Sequence, residues 1–297
     1  MAKQYTFAQF KSKYPDDEAC LNAILLRKYG KEFACPSCGV VPAKLHRISG
    51  RRAFACQDCG HHVYPCAGTV FEHSSTSLTL WFHAMYLMTA TRNGVAAKEL
   101  QRQLGVTYKC AWRIGHQLRV LMAARAKAEN PGPMSGHIEI DETYVGSRHK
   151  GKRDRGAEGK TIVFGMLKRT GAIKARIVPD VKRKTLRPLI AANVEAGSVI
   201  SSDEFISYKK LAEMGYTHGV CNHAAEQYVV GIYHVNGVEG FRSHLKRGIV
   251  STHASVSPQH LRKYVDEFSY RYNHRHEPAE MFKRMLSQIT KTKTTSS

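Results

Sequence analysis

Residues 137–145 read His-Ile-Glu-Ile-Asp-Glu-Thr-Tyr-Val, and their alternation of apolar and polar side chains predicts a β-strand. The two-residue period puts Ile138 and Ile140 on one face, with Glu142 in the same parity. His137, Glu139 and Asp141 share the other face. Further strands are expected at 161–167 and 172–178, then a helix at 184–193. Residues 197–204 (GSVISSDE) read as a short apolar strand that ends on acids. Residues 236–247 (NGVEGFRSHLKR) begin another helix, for which Asn236 is the expected N-cap. Strands mixed with helices in this order indicate an α/β domain.

Asp141 and Asp203 are thus carried on strands and Glu239 on a helix, all three on fixed elements. Hard divalent cations prefer carboxylate oxygens, and phosphoryl transfer uses two such ions about 4 Å apart. Thirty-five residues separate Asp203 from Glu239. Lys246 lies seven residues past Glu239, two helical turns on and on the same face. Any one of these acids alone reads as a surface residue; the set is what marks a metal-holding site.

The composition agrees with work on a polyanion. Lys and Arg number 45 against 24 Asp and Glu, a net charge of +21. Such an excess points first to nucleic acid and more weakly to an anionic membrane surface. Hydrophobic residues at 42% and charged residues at 23% exclude wholesale disorder. A chain of 297 residues has room for one to three domains. The most apolar stretch, near 80–90, is broken by His83 and falls short of the roughly 20 residues of a membrane span. The opening Met-Ala-Lys-Gln-Tyr-Thr lacks a signal-peptide pattern.

Eight cysteines are present, four of them in Cys35-Pro-Ser-Cys38-Gly39 and Cys56-Gln-Asp-Cys59-Gly60. Two such knuckles 17 residues apart predict a four-thiolate zinc ribbon. Four thiolates leave no open position, so the Zn2+ is structural. Residues 44–54 between the knuckles read as a hairpin with a basic edge. His61, His62 and Cys66 follow closely and are candidates for extra ligands, but beside a complete tetrad they read first as surface or packing residues.

Residues 96–104 (AAKELQRQL) predict a short amphipathic helix, Gly105 and Val106 a turn, and Thr107 the N-cap of a second helix through Trp112, Ile114, Leu118 and Leu121. That is the layout of a helix-turn-helix, whose Tyr108, Lys109 and Arg113 would face a DNA groove or its phosphates. An ordinary helical hairpin is the alternative. The breaker cluster at 129–136 (ENPGPMSG) marks the best boundary. The expected organisation is a helical segment at 1–30, a zinc ribbon at 31–75, a helix-turn-helix region at 76–128, a catalytic domain at 136–275 and a basic tail at 276–297. The Lys/Thr/Ser-rich stretch 291–297 ends that tail.

Several blocks together resemble bacterial insertion-sequence transposases of the DDE class, and more narrowly the zinc-ribbon-bearing family numbered fifteen ninety-five. They are the CPSCG and CQDCG knuckles, GTVFEHSSTSL at 68–78, LQRQLGVTYKCAWRIGHQLR at 100–119 and IEIDETYVG at 138–146. GKTIVFGML at 159–167, VEGFRSHLKRGIV at 238–250 and HLRKYVDEFSYRYNHR at 260–275 follow in the family's order. The resemblance implies an RNase H-like mixed sheet with flanking helices. It makes Asp141 the first catalytic acid and Asp203 the second. The third role falls to Glu239 by spacing and chemistry, with Asn236 beside it as a neutral ligand or support, because the family often carries an Asn there. Two positions depart from the pattern: Arg242 stands where an aromatic residue is usual, and Ser202 where Thr is usual.

The resemblance further implies Mg2+ or Mn2+ held by Asp141, Asp203 and Glu239. The partners would be double-stranded DNA, as terminal inverted repeats and target. A homodimer or larger assembly would act on the DNA in the bacterial cytoplasm, at the nucleoid, with no membrane. Lys246 and Arg247 would meet a phosphate near the cleavage site, and Lys152 and Arg153 lie in a basic loop expected on DNA. A relative that binds DNA and cuts nothing is the competing reading. The segment 262–275 is either a packing helix or a DNA clamp.

Overall fold

The computed structural model describes residues 5–129, 132–146, 160–222, 225, 227 and 229–290. The chain divides into two compact units, one of Met1–Arg125 with His276–Ser297 and one of Ala126–Arg275.

The first unit opens with α1 (Phe7–Lys13), started by a capping box between Thr6 and Gln9, and α2 (Asp17–Tyr29), capped by Asp16. A small antiparallel sheet follows, of β1 (Leu45–Arg47), β2 (Phe54–Cys56) and β3 (His62–Val63). Helix α3 (Leu78–Ala90) buries Trp81, Phe82, Met85 and Met88. Next come α4 (Ala97–Leu104) and α5 (Tyr108–Glu129), joined through Gly105, whose φ of 64° is the left-handed conformation that closes a helix. Leu100 and Leu104 turn α4 inward.

The C-terminal segment corrects one expectation. A basic tail is expected at 276–297, yet α9 (Met281–Leu286) buries Met281, Phe282, Met285 and Leu286. The Phe282 ring lies 5.5 to 6.1 Å from those of Tyr5, Phe10, Tyr14 and Phe82. The apolar pairs at 281–282 and 285–286 form a helical stripe that outweighs the basic residues between them. Residues 291–297 lie outside the described residues.

The second unit is built on a five-stranded sheet: β4 (His137–Val145), β5 (Thr161–Lys168), β6 (Ile173–Val178), β7 (Val199–Asp203) and β8 (Thr217–Cys221). Their spatial order is β6-β5-β4-β7-β8, with β4, β5 and β6 antiparallel and β7 and β8 parallel to β4. This is the expected RNase H-like mixed sheet. Helix α6 (Arg183–Asn193) covers one face, where Ile138, Ile140, Phe164, Ile190 and Ile200 meet. Helices α7 (Asn236–Thr252) and α8 (Pro258–Asn273) belong to the opposite core, with Val163, Leu167, Val238, Phe241, Leu245 and Phe268. Gly248 lets α7 meet α8, since a Cβ there would stand 2.1 Å from the Phe268 ring. Helix α8 is a packing helix: Leu261, Val265 and Phe268 are buried, and Arg271 is buried against Glu267.

Candidate active site and metal centre

The acids sit on the sheet face that meets α7. Strands β4 and β7 pair in parallel, with Glu139 level with Ser201. Asp141 and Asp203 each follow two residues beyond that last pair, on neighbouring strands. Asp141 is buried, Asp203 and Glu239 are half-buried, and Glu239 comes from the first turn of α7.

Asp141 shows how concentrated the negative charge is. Burial pushes its carboxyl up to about 7, Arg242 pulls it down, and Glu142, Asp203 and Glu239 push it up again. Arg242 Nη1 donates to Asp141 Oδ2 at 2.8 Å, and its Nη2 lies 3.8 Å from Glu239 Oε1. The guanidinium therefore stands between two of the three acids. A set of hard oxygen donors around a buried carboxyl suits a divalent cation in chemistry. The oxygens do not converge tightly here: among the described residues, only the four cysteines bring at least three donor atoms within 4.8 Å of one another. The hydroxyl of Ser202, next to Asp203, donates to the Asp203 carbonyl at 2.9 Å and lies 2.8 Å from His218 Nε2.

Asn236 differs from its expected place. It is the first residue of α7, exposed, with Val235 in the cap position and no side-chain cap bond. The cap comes from across the sheet. Glu139 Oε2 accepts the amides of Gly237 at 2.7 Å and Val238 at 3.0 Å. Glu139 is 1% exposed and also takes Arg169 Nε on its other oxygen at 3.0 Å. Both residues escaped the sequence reading. The available signal was an acid in Asp141's parity on a strand buried on both faces, which needs partners. Lys246 is half-buried on α7, and the exposed Arg247 bonds through Nε to the Ser243 carbonyl.

The cysteine tetrad forms as expected. Cys35 and Cys59 sulfurs lie 3.6 Å apart and those of Cys38 and Cys56 3.9 Å apart. Sulfurs about 2.3 Å from one tetrahedral Zn2+ would sit about 3.8 Å apart, so the donor set fits that ion. Backbone amides, Cys38's foremost, hold the Cys35 thiol down at about 6. His61 and His62 are exposed, and Cys66 is buried, with burial pushing its thiol up to about 11. None of the three joins the tetrad.

In the helix pair, Thr107 Oγ1 accepts the Cys110 amide, which starts α5 as expected. Tyr108, Lys109 and Arg113 are exposed on its first two turns. Lys152 and Arg153 lie outside the described residues. Among the described residues no helix is long and apolar enough to cross a membrane.

Comparison with known proteins agrees with these features. Residues 133–273 match the ISXO2-like transposase domain and residues 15–62 the transposase zinc-ribbon domain. An uncharacterized protein in transposable element ISH50 of Halobacterium salinarum is 32% identical over 259 residues, covering 80% of this chain and 84% of that protein. The chain belongs to the ISXO2-like (IS1595) transposase family. Another relative of the chain, an uncharacterized transposase-like protein of Haemophilus influenzae, is 29% identical over 97 residues. That match covers 33% of this chain and 77% of the relative. Solved structures similar to parts of the chain include a pre-cleavage Mos1 transpososome, at 11% identity and a TM-score of 0.29 over 73% of this chain and 80% of that one. The Mos1 strand transfer complex is similar at 12% identity and a TM-score of 0.30, over 73% and 79%.

Proposed function

We propose that this transposase binds the terminal inverted repeats of its element through the zinc ribbon and helix-turn-helix, and cleaves and joins DNA at residues 136–275. The observation that carries the reading is that Asp141 and Asp203 each lie two residues past the last pair of the parallel β4–β7 register, with Asp203 and Glu239 both close enough to raise Asp141's proton affinity. Asp141, Asp203 and Glu239 would hold Mg2+ or Mn2+, with Asn236 a neutral group at the same helix start. When bound, such ions make an attacking water or 3′-hydroxyl more acidic and offset charge on the phosphate.

The chain's own residues do the rest. Asp141 gives up its proton to become a donor. Arg242 leaves the two acids and turns its charge toward DNA. Lys246 and Arg247, seven and eight residues past Glu239, contact a phosphate beside the cleaved bond. Tyr108, Lys109 and Arg113, together with Lys152 and Arg153, hold the flanking duplex. Two ends must be brought together, so the working form is a homodimer or larger assembly, in the cytoplasm on nucleoid DNA.

The test is a strand-transfer assay with Mg2+ or Mn2+ on DNA carrying the element's inverted repeats, comparing the wild type with Asp203→Ala and Glu239→Ala. Joined products from the wild type alone support the reading. Joining by Glu239→Ala would pass the third role to Asn236 or another residue. Arg242 favours a second reading, a DNA-binding protein without activity, because a guanidinium kept between Asp141 and Glu239 occupies the place of a cation. That protein would bind the ends and neither cut nor join them.

A further inference from the structure

The start of α7 is fixed by a clasp from two other elements. Glu139, on β4, accepts the Gly237 and Val238 amides with one carboxylate oxygen and Arg169 Nε with the other. Arg169 leaves β5 directly after Lys168, and its own amide bonds to the His137 carbonyl at 2.8 Å. Its Nη1 donates to the Ile232 carbonyl at 2.7 Å and its Nη2 to the His234 carbonyl at 3.2 Å. Carboxylate and guanidinium thus grip the chain on both sides of Val235, which is itself buried. His234 Nδ1 stands 3.3 Å from Glu139 Oε1, a second positive group when protonated.

The grip has little slack. A Cβ at Gly237 would lie 2.8 Å from Glu139 Oε2 and 2.6 Å from Leu167, so only glycine lets the first turn come this close to β4. A charged acceptor on two free amides at a helix start is among the stronger hydrogen-bond arrangements, and the helix dipole adds to it. Glu239 follows Val238 directly, and Arg242 lies one turn further on. The height of both along β4, opposite Asp141, is therefore set by where Glu139 holds 237 and 238.

We propose that Glu139 is a positioning residue for the third acid: with Arg169, it fixes the first turn of α7 so that Glu239 faces Asp141 and Asp203. The proposal deepens the reading of function above and rests on it. Both oxygens of Glu139 are engaged, one by Gly237 and Val238 and the other by Arg169, which suits it to hold α7 in place.

The experiment uses the full chain, with Glu139→Gln and, as an independent variant, Gly237→Ala. Glutamine keeps the size but loses the charge, and cannot satisfy both the amides and Arg169. Two quantities are read: amide hydrogen exchange at Gly237, Val238 and Glu239, and Mn2+ binding followed by electron paramagnetic resonance without DNA. The expected result is faster exchange confined to the start of α7, with Mn2+ affinity lower by about 10- to 100-fold, the usual cost of losing a partner that orients a metal ligand. Gly237→Ala should show the same two changes. Mn2+ affinity within about threefold of the wild type in both variants would overturn the proposal. So would exchange that quickens evenly across the sheet, which would make Glu139 a general support of the fold. A wild type that neither cuts nor joins DNA would sink the functional reading, and the exchange data would still decide whether the clasp exists.

Discussion

Arg242 Nη1 lies 2.8 Å from Asp141 Oδ2, and the same guanidinium reaches Glu239 at 3.8 Å. This chain thus places a positive charge against two of its three acids. Arg242 and a divalent cation compete for the same negative charge. Its side chain is 36% exposed, so it has an open path away from the acids.

Arg242→Ala should therefore bind Mn2+ more tightly than the wild type in the absence of DNA. Opposite charges about 4 Å apart near a protein surface interact by a few kcal/mol, so a gain of about tenfold or more is expected at about pH 8. Isothermal titration would show it. Equal or weaker binding by Arg242→Ala would mean that the guanidinium does not hold the cation's place.

The proton affinity of Asp141 gives a pH signature. Its carboxyl is raised from an ordinary 3.8 to about 7, chiefly by burial. The folded protein therefore holds a proton there that the unfolded chain releases. This group's contribution to stability is full below about pH 4 and is lost as pH rises through 7. Asp141→Asn, which mimics the protonated form, should melt at about the wild-type temperature near pH 4 but several degrees higher at about pH 8 without divalent metal. A difference independent of pH would contradict the raised proton affinity.

Zinc removal tests the ribbon apart from the acids. Cys35 and Cys56 are buried while Cys38 and Cys59 are exposed, so a chelator can reach the tetrad from one side. The ribbon strands are only two or three residues long and pair over five rungs in all. So little structure does not stand without its ion, since metal binding supplies the folding energy of such modules. Cys56→Ala should lose zinc by elemental analysis, and amide protection should collapse between 35 and 63. Protection of β4 and β5 should stay as in the wild type.

Much of this fold and site could be read from the chain because its signals are local. The β4 strand matches the alternation at 137–145 residue for residue, and the cysteine spacing gave the tetrad. Strand β8 was not foreseen: Thr-His-Gly-Val-Cys has little apolar content, and its place at the sheet edge comes from pairing with β7. At the end of the chain the basic residues mask the Met281–Leu286 stripe, which packs as a helix. Glu139 escaped because its partners lie 98 and 99 residues away, and the same long-range bond displaced Asn236 from the cap. Contacts of that range leave no period in the sequence.

The exposed start of α5 offers a last test, which separates end binding from catalysis. Lys109 and Arg113 lie four residues apart, on the same side of the helix, with Tyr108 beside them. If both cations meet phosphates, each releases counterions on binding, and the slope of log affinity against log salt falls by about 0.9 for each one removed. Lys109→Ala with Arg113→Ala should therefore weaken binding to the inverted repeats and flatten that slope by about 2. Mn2+ binding at the acids should not change. A slope unchanged by both substitutions would place the DNA elsewhere on the chain and leave α4 and α5 an ordinary helical hairpin. Loss of affinity for the repeats but not for unrelated duplex would instead mark Lys109 or Arg113 as a reader of bases.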